Sequence, residues 1–210
     1  MYFYTYRMQK NLLVYNIFPT PIIHLKLSTH NNFKFNFEDI KDKDTKPENW
    51  LDSVYTSFPN VLNNDKYIKT KDLLKIKKDI KKEIDIVFKE LEIPTSYSIK
   101  EFWYNVYHKN QSQESHMHLS EIKKKNPYWS GVYYYSNCEP TIFLRNDINP
   151  LLQNFNKNMD SKLRHFYFTS WMPDIKDGDI ILFPSYLNHK TNINKTNNKR
   201  ITFSFNLYLN

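Results

Sequence analysis

In Lys199-Arg-Ile-Thr-Phe-Ser-Phe-Asn206 polar and apolar side chains alternate from Arg200 onward. In an extended chain successive side chains point to opposite faces, so Arg200, Thr202 and Ser204 share one face while Ile201, Phe203 and Phe205 share the other. The period is that of a strand with one face in a core, and the alternation runs on to Leu209. Working backwards, further strand-like segments follow one another at Ser98–His108, Ser130–Ser136, Thr141–Arg145, Arg164–Trp171 and Asp179–Phe183, separated by turn residues. Many short strands in succession predict an antiparallel barrel or jelly roll.

The part before residue 97 reads differently. Leu73, Ile76, Ile80, Ile84, Val87 and Leu91 recur at three- and four-residue spacing between Lys, Asp and Glu. That spacing predicts a helix over residues 70–91 with one apolar stripe, suited to packing on a sheet. A shorter helix is expected near Trp50–Phe58, and two strand-like runs within residues 1–28, interrupted by Pro19 and Pro21. The fold class is therefore mainly β (α+β), a single domain over residues 1–210. Residues 1–95 supply N-terminal strands and a buttressing helix, and residues 96–210 the β core.

Composition narrows the function classes. The 210 residues suit one domain with one substantial core. The formal net charge of +8 suits an anionic partner, but no stripe of Arg interleaved with aromatics marks a nucleic-acid surface. The single cysteine, Cys138, excludes an internal disulfide and fits a reducing, cytoplasmic compartment. No base lies beside it in sequence, so a structural role is expected. No run of apolar residues is long enough to span a membrane. Residues 1–18 lack the basic start, apolar centre and cleavage site of a secretory leader.

The chemistry gathers in the second half. In Gln113-Glu-Ser-His116-Met-His118 two imidazoles stand two residues apart, on one side of an extended chain. His189 follows a strand and a Pro-Ser turn. A pair at i and i+2 with a distant third ligand gives a facial metal site with open positions, which iron enzymes that activate O2 require. His24, His30, His108 and His165 lack this spacing and read as structural or surface residues. The chain has only two glycines, Gly131 and Gly178, and each flanks a candidate ligand segment. Arg200 follows His189 by eleven residues. A guanidinium facing the mouth of a barrel needs an anionic partner, and its fork matches a carboxylate. Thr202, two residues on, adds a hydroxyl.

Taken in order, Trp103-Tyr-Asn-Val-Tyr107, His116-Met-His118, Ser130-Gly-Val-Tyr-Tyr-Tyr135, Gly178-Asp-Ile-Ile-Leu-Phe-Pro-Ser185 and Arg200-Ile-Thr-Phe-Ser-Phe-Asn206 resemble the 2-oxoglutarate/Fe(II) oxygenases related to the prolyl 4-hydroxylase-like group. The likeness spans residues 17–210. It implies a double-stranded β-helix (jelly roll, cupin-like) and a hydroxylase that couples substrate C–H oxidation to decarboxylation of 2-oxoglutarate to succinate and CO2, with Fe(II) and O2. It also implies that His116 and His189 are metal ligands and that Arg200 and Thr202 hold the distal carboxylate of 2-oxoglutarate. Tyr134 and Tyr107 would then be cosubstrate contacts. The wider superfamily carries Asp or Glu where this chain has His118. The third ligand is therefore open among His118, water and a carboxylate such as Glu121. The substrate is open too: a protein or peptide side chain first, then a nucleic acid or a small molecule. Two other readings remain, a non-catalytic jelly-roll binding module and a cupin-type metal dioxygenase that does not use 2-oxoglutarate.

Overall fold

The structure is a computed structural model that describes residues 5–9, 12–15, 20–34, 50, 54–58, 71–93, 96–119, 125–145 and 169–210. Two-residue alternation builds its largest sheet. This sheet holds β3 (Ile23–Lys26), β4 (Tyr55–Thr56), β5 (Tyr97–Tyr107), β6 (Trp129–Ser136), β9 (Asp179–Pro184) and β11 (Arg200–Leu209), in the antiparallel order β3-β9-β6-β11-β5-β4. A smaller antiparallel sheet runs β10 (His189–Thr191), β7 (Thr141–Leu144), β8 (Ser170–Trp171), and β1 (Thr5–Gln9) pairs with β2 (Leu12–Tyr15).

Alternation sorts the large sheet into two different faces. Ile201, Phe203, Phe205 and Leu207 of β11 join Trp129 and Tyr133 of β6 and Ile180 and Leu182 of β9 in one apolar cluster. The helix α1 (Lys71–Glu90) closes that cluster with Leu73, Ile76, Ile80, Ile84 and Phe88. Phe88 packs its ring against Tyr97 and Trp129. On the opposite face Val132, Tyr134, Ile181 and Phe183 meet Phe143 of the small sheet. Also buried there are Arg200, Thr202, Ser204 and Asn206. The polar half of β11 thus lines the space between the sheets.

Three sequence expectations need correction. The helix ends its buried stripe on Phe88, with Leu91 more than half exposed and Val87 only half-buried. A step of four from Ile84 reaches Phe88, and the chain leaves the helix after Glu90. Around Trp50–Phe58, Tyr55–Thr56 forms a strand on the edge of the large sheet in place of the expected helix, held by pairing with Val106 and Asn105. Of the expected strand Arg164–Trp171 only the last two residues form β8, and Thr169 before them is not strand; residues 164–168 lie outside the described residues.

Both glycines have steric reasons. A Cβ on Gly131 would lie 2.3 Å from the Phe205 ring and 2.8 Å from Leu182 Cδ2. Gly131→Ala is expected to lower stability by about 1–3 kcal/mol through overpacking, read as a lower denaturant midpoint at unchanged slope. Gly178 has φ +97°, a left-handed conformation open to glycine. Its N–H donates to Tyr134 O, and its carbonyl accepts from Leu27 N, fixing the turn into β9. No helix among the described residues is long and apolar enough to cross a membrane.

Candidate active site

Backbone pairing brings the first and third histidines together. His116 N donates to His189 O and His189 N donates to His116 O, both at 2.9 Å, an antiparallel bridge beside β10. Residues paired directly across antiparallel chains project to the same side, and the two rings sit 4.3 Å apart. His118 N donates to Ser185 O at 3.0 Å, which places the third ring 5.4 Å from His116 and 5.0 Å from His189. One nitrogen from each of the three lies within 4.8 Å of the others.

The hydrogen bonds leave those nitrogens ready to coordinate. His116 Nδ1 lies 2.8 Å from Glu114 O and His189 Nδ1 2.9 Å from Leu187 O. A carbonyl only accepts, so each Nδ1 carries the proton and each Nε2 keeps its lone pair. Burial holds the His189 imidazole well below its ordinary value of 6.5, and the neighbouring His116 and His118 add to the effect. Burial also lowers His116, against an opposing pull from Glu114. Both rings are therefore neutral near neutral pH, the form that binds metal.

The same cleft contains Arg200, Thr202, Tyr107 and Tyr134. Strand register explains the grouping: Arg200 pairs with Tyr107 of β5, and Thr202 pairs with Tyr134 of β6. Arg200 is 1% exposed. Its guanidinium stacks 4.2 Å from the centre of the Tyr107 ring, and Nη2 donates to Asn192 O at 2.8 Å. Its Nε and Nη1 have no hydrogen-bond partner. Glu139 approaches Nη1 only to 3.8 Å and is 37% exposed. Buried donors of a charged group left unbonded are costly, and a carboxylate is the acceptor that guanidinium donors favour. Burial pushes both tyrosines up to about 12, with Arg200 pulling the other way on each, so both remain phenols. The Tyr134 hydroxyl donates to Thr141 Oγ1 at 2.8 Å, and that of Tyr107 to Gln113 Oε1 at 3.2 Å.

Three converging imidazoles at one end of a cleft, and unfilled guanidinium donors at the other, fit a divalent metal and a dicarboxylate. Residues 101–206 match the model of the family described as "Putative 2OG-Fe(II) oxygenase". The chain belongs to this 2OG-Fe(II) oxygenase family. It is a 2-oxoglutarate- and Fe(II)-dependent oxygenase of the hydroxylase-like kind. The matched span holds all seven candidate residues.

Solved structures agree on the fold of this oxygenase. It is similar to a prolyl-4-hydroxylase from Pseudomonas putida at 8% identity, over 91% of this chain and 94% of that one, with a TM-score of 0.53. HygX from Streptomyces hygroscopicus, crystallised with nickel and 2-oxoglutarate, matches at 13% identity over 90% and 83% of the two chains, with a TM-score of 0.55. The carbocyclase SnoK from nogalamycin biosynthesis matches at 10% identity over 90% and 80%, with a TM-score of 0.59. At such identities the likeness is one of fold, the double-stranded β-helix. No curated protein matches the chain in sequence.

The structure places the seven residues in the lining of one cleft, and sequence reasoning missed their supports. Asn192 O, Glu139, Ser130, Asn206 and Glu101 carried no spacing signal. Glu121, the alternative carboxylate ligand, lies outside the described residues. Among the other histidines, His30 Nδ1 sits 2.7 Å from the Tyr133 hydroxyl and His24 Nε2 3.0 Å from Asp179. Both are away from the cleft, as the spacing implied. Cys138 is half-buried, and burial raises its thiol well above the ordinary range, as expected of a structural cysteine rather than a nucleophile.

Proposed function

We propose that His116, His118 and His189 hold Fe(II) through their Nε2 atoms and that Arg200 and Thr202 hold the distal carboxylate of 2-oxoglutarate. Tyr107 supports Arg200 from below, and Tyr134 borders the cosubstrate beside Thr202. The observation that carries this reading is the pair of unbonded donors on a fully buried Arg200 in the cleft that also holds the three imidazoles. When bound, Fe(II) with 2-oxoglutarate supplies the oxidising chemistry, turning O2 and the keto acid into succinate, CO2 and an oxygen for a substrate C–H bond. The chain orients the cosubstrate between Arg200 and the histidines, and the packed walls around them limit water.

For the substrate we take a protein or peptide side chain first. Supporting this, Met117 and Leu119 are exposed on either side of His118, and Tyr186 is exposed near His189. A wider groove beside the cleft, bordered by residues 112–115 and 190–195, opens toward solvent. Nucleic acid and small molecules are the other substrate classes. We read residues 1–210 as one oxygenase domain, with residues 1–95 buttressing the core of 96–210, and infer a reducing cytoplasmic setting from the lone Cys138.

Fe(II)-dependent release of succinate from 2-oxoglutarate tests the reading. It is expected at a slow uncoupled rate without substrate and at a faster rate with the right one. Stimulation by peptides supports the first substrate class; stimulation by nucleic acid alone would redirect it. A cupin-type dioxygenase or a non-catalytic binding module would release no succinate.

A further inference from the structure

His118 differs from its two partners in how its ring is held. His116 and His189 each face a backbone carbonyl, which can only accept. His118 Nδ1 instead lies 2.7 Å from both Ser130 Oγ and Asn206 Oδ1. A hydroxyl donates or accepts, so Ser130 alone leaves the tautomer of His118 undecided. Asn206 decides it. Its Nδ2 donates to Glu101 Oε2 at 2.5 Å, and the Tyr208 hydroxyl donates to the same oxygen at 2.9 Å. A carboxylate accepts only, so the amide nitrogen must face Glu101 and the amide oxygen must face His118. Ser130 Oγ also donates to Asn206 Oδ1 at 2.7 Å and lies 2.8 Å from Ser185 Oγ, whose proton it can accept.

The backbone is built to aim Glu101 inward. Tyr97 and Ile99 of β5 belong to the helix-side cluster, and simple alternation would place residue 101 with them. The pairing shifts between Asn206 and Leu207, whose partners are Glu101 and Ile99. Lys100 is therefore an extra residue, a bulge of the kind that re-aims a side chain. Beyond it Phe102, Tyr104 and Val106 take the helix side, and Glu101 turns toward Asn206.

We propose that Glu101, acting through Asn206, fixes His118 as the third nitrogen ligand of the metal. This rests on the three-histidine reading above. Glu101 and Asn206 are positioning residues: they hold the proton on His118 Nδ1, leave Nε2 toward His116 and His189, and make the ring a stronger donor. They also keep an anion two hydrogen bonds from a site whose protein ligands are all neutral.

Nitrogen-15 NMR of the histidine rings of the metal-free chain, followed by titration with Zn(II), tests this. In the wild type all three rings are expected as the Nδ1–H form, and Zn(II) is expected to move all three Nε2 signals. Glu101→Leu is expected to mix the tautomers of His118 alone and to weaken Zn(II) by about 10–100-fold. His116 and His189 keep their tautomers, which reports an intact site. Glu101→Gln should rescue, because two donors, Asn206 Nδ2 and the Tyr208 hydroxyl, select the amide oxygen at that position. Wild-type His118 protonated on Nε2 would overturn the proposal. So would a Glu101→Leu variant with unchanged His118 tautomer and Zn(II) affinity while all three Nε2 signals still respond, and that result would leave the three-histidine reading standing. Zn(II) moving only His116 and His189 would remove that reading and the proposal together.

Discussion

Arg200→Met is expected to weaken 2-oxoglutarate binding at least a hundredfold while leaving metal binding in place. Nε and Nη1 of Arg200 are buried in the cleft without a hydrogen-bond partner. Each charge-assisted hydrogen bond to a carboxylate contributes about 1.5–3 kcal/mol, so losing a guanidinium fork of two such bonds costs roughly 3 kcal/mol or more, at least about two powers of ten in affinity. Methionine fills much of the same volume and removes a buried charge whose solvation is incomplete. Its thermal midpoint without cosubstrate should therefore stay close to that of the wild type. The two proteins separate once 2-oxoglutarate is added: the wild type gains stability as the logarithm of cosubstrate concentration above its Kd, and Arg200→Met gains far less at the same concentration. Calorimetric titration of the metal-loaded protein in the absence of O2 reads the affinity directly. Unchanged affinity would place the carboxylate elsewhere and leave the two orphaned donors without a purpose.

The second large effect is expected at His189. His189→Ala removes a ligand and one half of the bridge that sets His116 beside it. Loss of a supporting hydrogen bond already costs about 10–100-fold in metal affinity, and loss of a ligand must exceed that. Co(II) or Zn(II) competition titration should show affinity falling below that of the Glu101→Leu variant. His24→Ala is the control, because His24 meets Asp179 away from the cleft, and its affinity should equal that of the wild type. If His189→Ala kept its metal, the cluster at residues 116, 118 and 189 could not be the iron site.

The alternation at residues 200–206 was legible because one strand separates two different environments: phenylalanines against α1, polar groups against the cleft. For the same reason the alternation alone assigns Arg200 an inward direction. The His116–His189 bridge could not be foreseen, since residues 109–115 show neither alternation nor helical spacing and are held by backbone hydrogen bonds together with scattered side-chain ones. Glu101 was hidden for a sharper reason. Counting in twos from Tyr97 puts it on the helix side, and a single bulged residue reverses the count. The helix stripe failed only at its end, where choosing Val87 and Leu91 over Phe88 ignored how quickly the helix stops. The partner of Arg200, Asn192 O, is a backbone atom on a loop, and no side-chain pattern announces it.

Ligand and cosubstrate are assigned here to opposite ends of one cleft, so a signal that needs both at once is the sharpest measurement. Under anaerobic conditions, 2-oxoglutarate added to the Fe(II)-loaded chain should raise a visible charge-transfer band, as its keto acid end chelates the iron. The band should be absent in His189→Ala and should require far more cosubstrate in Arg200→Met. An Fe(II)-loaded wild type that stays colourless at saturating 2-oxoglutarate would contradict the account.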